Sequence, residues 1–249
     1  MRHLLVKILA IGLIVAVLAA CGPSSPQWPG GLHVEEHALA AAPEPVPLVF
    51  EPLGETQEEI LAKHAGDRTG QYLMDITMLD GNPAMMSLGE SDDLIAKVIS
   101  STEDPLRQTV KLYRGEEEIL AVDGGLPSPA LPLQGLWRYG GHWALEVLYA
   151  DADTWAGQVY IDGEPINALK GYDEAFGFQL LDARPFYFYV REGSVGISYD
   201  GEEADLGYDE VIHYRCCAES MLNPLQAVNM VAFFASRAGT WYYVEIGPF

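Results

Sequence analysis

The most distinctive chemistry in the chain lies at two adjacent thiols, Cys216-Cys217, with His213 three positions earlier. Thiolates and imidazoles are ready metal ligands, and neighbouring thiols also oxidise to a disulfide. Adjacent Cα atoms lie about 3.8 Å apart, short of the roughly 4.4–6.8 Å of ordinary disulfides. A vicinal disulfide between Cys216 and Cys217 therefore requires a distorted, easily reduced linkage. Three readings stay open: that disulfide, two unpaired structural thiols, or a thiol or metal site built from His213, Cys216 and Cys217. The spacing matches no zinc or copper pattern.

A second set is the carboxylates of Gly171-Tyr172-Asp173-Glu174 and Gly207-Tyr208-Asp209-Glu210. Paired carboxyls about 5–10 Å apart perform general acid–base work on glycosides. Asp173, Glu174, Asp209 and Glu210 are candidates on that ground, but their recurrence fits turn and strand-edge residues better. A catalytic group has no reason to recur in each unit. The run Asp151–Gly157 departs from the calcium-loop pattern and reads as an acidic surface loop. His142, beside Trp143, reads as a partly buried residue of an aromatic strand. The G-x-S-x-G, H-E-x-x-H, Walker A and G-x-G-x-x-G motifs are absent. The 13 Tyr and 5 Trp offer stacking faces for glycans, although stacked sheets also consume aromatics in their cores. No cofactor is expected.

Short β-branched and aromatic runs must position these groups. Ten read as strands: Tyr72–Leu79, Thr109–Tyr113, Leu136–Tyr139, Trp143–Tyr149, Gln158–Ile161, Phe176–Leu181, Phe186–Val190, Val195–Tyr199, Met230–Phe234 and Trp241–Ile246. Two or three short peripheral helices are expected. Thr56-Gln57-Glu58-Glu59 is a capping box before Ile60, Ser91 caps a helix over Asp92–Ser101, and Pro224 opens one over Pro224–Val228.

The Gly-Tyr-Asp-Glu landmark repeats after 36 residues, and Gly157 matches Gly193 at the same shift. Asp162-Gly163, Asp200-Gly201 and Arg114-Gly115 read as hairpin turns, which need φ > 0. Phe186–Val190 is apolar or aromatic at every position, so both of its faces should be covered. These features predict a mainly β body of repeated four-stranded antiparallel meander units. Good units span 133–174 and 175–214, a degenerate one lies at 69–120, and a half-unit ends at Ile246. In length and layout the units resemble β-propeller blades, in a small or incomplete ring that an N-terminal strand would help to close. A β-sandwich is the alternative.

Ahead of this body, Arg2 and Lys7 precede an apolar run from Ile8 to Leu18, too short to span a bilayer comfortably. The run closes with Leu18-Ala19-Ala20-Cys21, which resembles the lipobox of bacterial lipoproteins. The resemblance covers only the first 21 residues. It implies cleavage of a signal peptide, residues 1–20, and lipidation of Cys21, with more than one acyl chain for stable anchoring. The protein is then extracytoplasmic, held by its N-terminal lipid at the outer membrane or cell surface. Residues 21–53 hold seven of the 16 prolines and read as a semi-rigid tether, within which Val46–Phe50 could add to a sheet edge; the folded body spans 54–249. Cleavage leaves 12 Lys+Arg against 36 Asp+Glu, a net charge of −24. So acidic a body excludes nucleic-acid binding through the phosphate backbone and leaves the lipid to hold it at the membrane. The expected role is non-catalytic, binding or scaffolding an envelope glycan or protein. A glycan hydrolase with paired carboxylates and a thiol or metal site are the alternatives.

Overall fold

The computed structural model describes residues 28–43, 54–63, 74–79, 82–88, 94–100, 104–214 and 224–249. Cys21, the rest of the lipobox, Val46–Phe50, Cys216 and Cys217 lie outside the described residues. The fold is mainly β, with several antiparallel sheets, none closed into a barrel.

Four consecutive meanders make up the body. The first contains β2 (Met74–Leu79), β3 (Asn82–Leu88), β4 (Leu94–Ser100), β5 (Gln108–Arg114) and β6 (Glu117–Gly125). The second contains β7 (Leu133–Tyr139), β8 (His142–Ala150), β9 (Trp155–Ile161) and the short β10 (Glu164–Pro165). A single parallel pair, Gly125 with Ala150, joins these two into one nine-stranded sheet. The third is a separate four-stranded sheet: β11 (Glu174–Leu181), β12 (Arg184–Arg191), β13 (Ser194–Tyr199) and β14 (Glu202–Tyr208). The fourth runs in the order β1-β18-β17-β15, from β1 (His33–Ala38), β18 (Thr240–Gly247), β17 (Val231–Arg237) and β15 (Glu210–Val211), with β16 (Leu225–Gln226) added to β17.

The meanders stack face to face. Phe186 and Phe188 of β12 point into a core shared with Phe233, Val244 and Ile246 of the fourth. Their neighbours Tyr187 and Tyr189 point the other way, onto Ala144 and Val159 of the second. Both faces of β12 are thus covered, which is why its sequence does not alternate. The opposite face of the second meander, with Leu136, Leu145 and Val147, packs on Leu94, Val110, Leu112 and Val122 of the first. The helix α1 (Gln57–Lys63) presses Ile60 onto the outer face of the fourth, against Leu225, Met230 and Phe234. A propeller ring would place another sheet there. The described residues instead form an open stack of packed sheets, the layout of the sandwich alternative.

All ten expected strands form, with ends shifted by a few residues. So does the capping box of α1: Glu59 Oε2 accepts from Thr56 N at 2.9 Å, and Thr56 Oγ1 accepts from Glu59 N at 3.2 Å. The three expected turns join β5–β6, β9–β10 and β13–β14, with φ of 60° at Gly115, 51° and 89° at Asp162-Gly163, and 52° and 83° at Asp200-Gly201. Two expected helices do not form. Leu94–Ser100 is strand β4, with Leu94 and Ala96 buried alternately on one face rather than at helical spacing. Leu225–Gln226 pairs with β17 as β16, where Leu225 enters the core under α1. A second helix, α2 (Ile166–Lys170), was not expected; Gly171, at φ 69°, ends it.

The N-terminal region differs most from expectation. His33–Ala38, placed in the tether by composition, pairs along its whole length with β18. Folded structure thus begins by Trp28, and β1 is the fourth strand of the last meander.

Candidate functional site

A repeated device links the meanders and explains the Gly-Tyr-Asp-Glu landmark. Asp173 N donates to Val190 O at 2.8 Å, and its Oδ2 accepts from Glu192 N at 2.9 Å in the β12–β13 turn. Asp209 makes the same pair of bonds one meander later, to Ser236 O at 2.9 Å and from Ala238 N at 2.7 Å in the β17–β18 turn. Each Asp ties the end of one unit to a hairpin of the next. The preceding tyrosines are stapled as well. The Arg191 guanidinium lies 4.9 Å from the Tyr172 ring and donates to Glu203 on β14 at 2.9 Å. Arg237 lies 5.1 Å from Tyr208 and donates to Glu36 on β1 at 2.7 Å. Burial opposes ionisation of Glu203 and Glu36. Hydrogen bonds from Tyr172, Arg191 and Lys170 outweigh it at Glu203, and those from Arg237 and Tyr208 outweigh it at Glu36. Both carboxyls stay below the ordinary range.

At one end of the stack the start of β11, the stretch after β14 and the β8–β9 turn enclose a cleft of about 640 Å³. Its polar wall is Asp153, Glu174, Asp209 and Glu210; Trp155, His213 and Tyr214 supply the aromatic surfaces. Among the described residues no Lys or Arg lines it. Three of the four candidate carboxylates and His213 therefore meet here. Asp173 does not line the cleft.

Glu174 and His213 are held closely, each side chain 15% exposed. Glu174 Oε1 accepts from Gly157 N at 2.6 Å and from His213 Nε2 at 2.9 Å. The other ring nitrogen, Nδ1, faces Val211 O at 2.6 Å. The imidazole lies flat on the Phe176 ring, 3.5 Å between centroids and 1° from parallel. Gly157 makes this approach of β9 to β11 possible: a Cβ there would sit 2.5 Å from Ala175 O.

Beneath the cleft floor, Glu146 of β8 is 3% exposed in the middle of an apolar strand. Register slips between Phe176 and Gln179 on β11, leaving a bulge with Gly177 at φ 63°. Glu146 accepts both bulge amides, Gly177 N at 3.0 Å and Phe178 N at 2.6 Å, and also the Tyr214 hydroxyl. Burial pushes the Glu146 carboxyl up, only partly offset by those three donors and His213. Burial likewise pushes the Tyr214 phenol well up, reinforced by Glu146. Tyr214 holds a left-handed backbone, φ 59°, uncommon for a bulky residue.

This geometry bears on the sequence readings. Among the described residues Glu146 is the carboxyl that burial pushes up, as a general acid would require, yet it does not line the cleft. Its oxygens are spent on the bulge and on Tyr214. The described residues contain no group of three His, Cys, Asp or Glu side chains placed to hold a metal. His142 Nδ1 meets Asp162 at 2.5 Å in an exposed hairpin, away from the cleft. Sequence reading did not single out Glu146, Trp155 or Tyr214, and it took Gly157 only as a landmark of the repeat. Of the three missed residues Glu146 left a trace, a lone charge inside the apolar run Ala144–Leu148.

No family model and no curated protein matches the chain.

Proposed function

We propose that the chain is a lipid-anchored, extracytoplasmic binding protein of the bacterial cell envelope. Its cleft takes a neutral glycan segment without transforming it. The carrying observation is the lining of the cleft: Trp155 beside an acceptor-rich wall of Asp153, Glu174, Asp209 and Glu210, with no basic side chain among the described residues. Sugar hydroxyls donate to carboxylates, and the apolar face of a pyranose packs on indole, whereas an anionic ligand would be repelled. The carboxylate nearest to a catalytic character, Glu146, is sealed from the cleft, which favours binding over hydrolysis.

Calorimetric titration with neutral oligosaccharides tests the reading. Binding should weaken about tenfold or more in Trp155→Ala, the scale of one lost aromatic contact. Failure of every neutral glycan in a broad panel, or equal affinity in the variant, would sink it. Anchoring is tested separately: Cys21→Ala should move the protein from the membrane fraction to the soluble one. A wild-type protein found in the soluble fraction would remove the lipid from the account.

A further inference from the structure

We propose that the end of the stack carrying Trp28 and Phe249 lies against the membrane, at the level of zwitterionic lipid headgroups, and that the cleft opens away from the bilayer.

The inference rests on lipidation of Cys21 and deepens that reading by giving the anchored body an orientation. Chain length sets the reach. Folded structure begins by Trp28, whose side chain packs on the core shared by the third and fourth meanders. Pro29 and Leu32 are buried, and Gly30 N donates to Glu202 Oε2 at 3.3 Å. Strand β1 follows and is paired with β18 along its whole length. At most the six residues Gly22–Gln27 therefore separate Cys21 from the body. Even fully extended, the path from Cys21 to Trp28 spans about 25 Å, roughly half the breadth of a body of this size. A stalk through residue 53 would let the body tumble freely above the surface. A link this short holds it against the bilayer by the end where the chain enters.

That end is defined by β13 and β14. Tyr199 closes β13, and its ring lies so close to Gly30 that a Cβ there would sit 2.5 Å away. Glu202, the partner of Gly30, opens β14. Val195 near the start of β13 and Asp209 just after β14 line the cleft. The turn Pro29–Gly31 and the cleft thus mark opposite ends of the third meander.

The chemistry of the entry end suits a headgroup layer. The Trp28 indole is only partly buried. Phe249, 38% exposed, stands two residues beyond Gly247, which pairs with His33 at the start of β1. Indole favours the headgroup level, and a phenyl ring adds apolar area there. Asp182, Asp200 and Glu202 flank Arg184 on the hairpin turns at this end, so an anionic lipid surface would repel it. Zwitterionic headgroups carry no such net repulsion.

The test is tryptophan fluorescence of the mature protein, extracted from membranes and reconstituted into phosphatidylcholine vesicles that carry a nitroxide on the headgroup. The nitroxide quenches only indoles close to it. Emission should fall relative to unlabelled vesicles, and Trp28→Phe, checked for an unchanged melting temperature, should remove most of that fall. Trp155→Phe, which alters an indole at the cleft end, should leave the fall as it is. Emission that does not fall, or a fall that persists in Trp28→Phe, overturns the proposal. So does a fall abolished by Trp155→Phe, which would place the cleft on the membrane. The intact mass of the extracted protein keeps the two readings apart. A chain without acyl groups sinks the anchor and the orientation together, whereas an acylated chain with unquenched Trp28 overturns the orientation alone.

Discussion

Glu146 shows how a buried carboxyl is accommodated when each of its oxygens has a donor. Two bulge amides and a phenol converge on it, and removal of the carboxylate would strand all three without water to replace it. Glu146→Leu should therefore cost on the order of 3–4 kcal/mol in denaturant unfolding. Glu146→Gln keeps an acceptor for the amides and should cost far less. The pH dependence has a definite sign. The folded carboxyl is pushed up by burial, so its contribution is present below the unfolded carboxylate range and is lost as pH rises through the folded value. Stability from this residue should rise on acidification, and Glu146→Gln should remove that slope. Glu36 and Glu203 act oppositely: held low by their partners, they stabilise above the unfolded range, and that stability is lost as pH falls.

At the scale of elements, Gly157 sets how closely two sheets approach, and Gly177 shapes the bulge within one of them. Gly157 lets β9 pass β11, and a methyl group there would strike backbone, which cannot rotate away. Gly157→Ala should cost about 2–4 kcal/mol and disturb the Glu174–His213 pair. Gly177→Ala meets mainly the edge of the Phe188 ring, 3.1 Å away, and a positive φ. About 1–2 kcal/mol is expected, measurable in the same unfolding experiments.

The strands and turns were legible because their signals are local. An Asp-Gly pair demands its own backbone, and the unbroken apolar run of β12 announces two covered faces. Strand β4 misled because Leu94, Ile95, Val98 and Ile99 also fit one side of a helix; packing on the second meander decided otherwise. Strand β1 was hidden because it is polar and mostly exposed, and backbone pairing to β18 defines it. The cleft was half legible. Recurrence drew attention to Glu174, Asp209 and Glu210. Trp155, Glu146 and Tyr214 join them only through stacking of distant meanders, which no local spacing encodes.

Across the whole molecule, the Tyr–Arg–Glu staple occurs once with Glu203 from the same sheet as its arginine and once with Glu36 of β1, about 200 residues away in the sequence. The last meander borrows its outer strand. Deletion of the chain through Ala38 should expose the edge of β18 and cause concentration-dependent association, read by light scattering. A synthetic peptide of residues 28–43 added in trans should suppress that association, and Glu36→Ala in the peptide should weaken the rescue. Unchanged solubility of the deleted protein would show that β1 is dispensable.

The pairing of His33 with Gly247 also imposes an order of events on biogenesis. A contact between β1 and β18 cannot form until β18 has been made, and closing so long a loop is slow. Until then the last meander must remain incomplete, its β18 edge without a partner. The same topology that joins the finished body keeps the nascent one open.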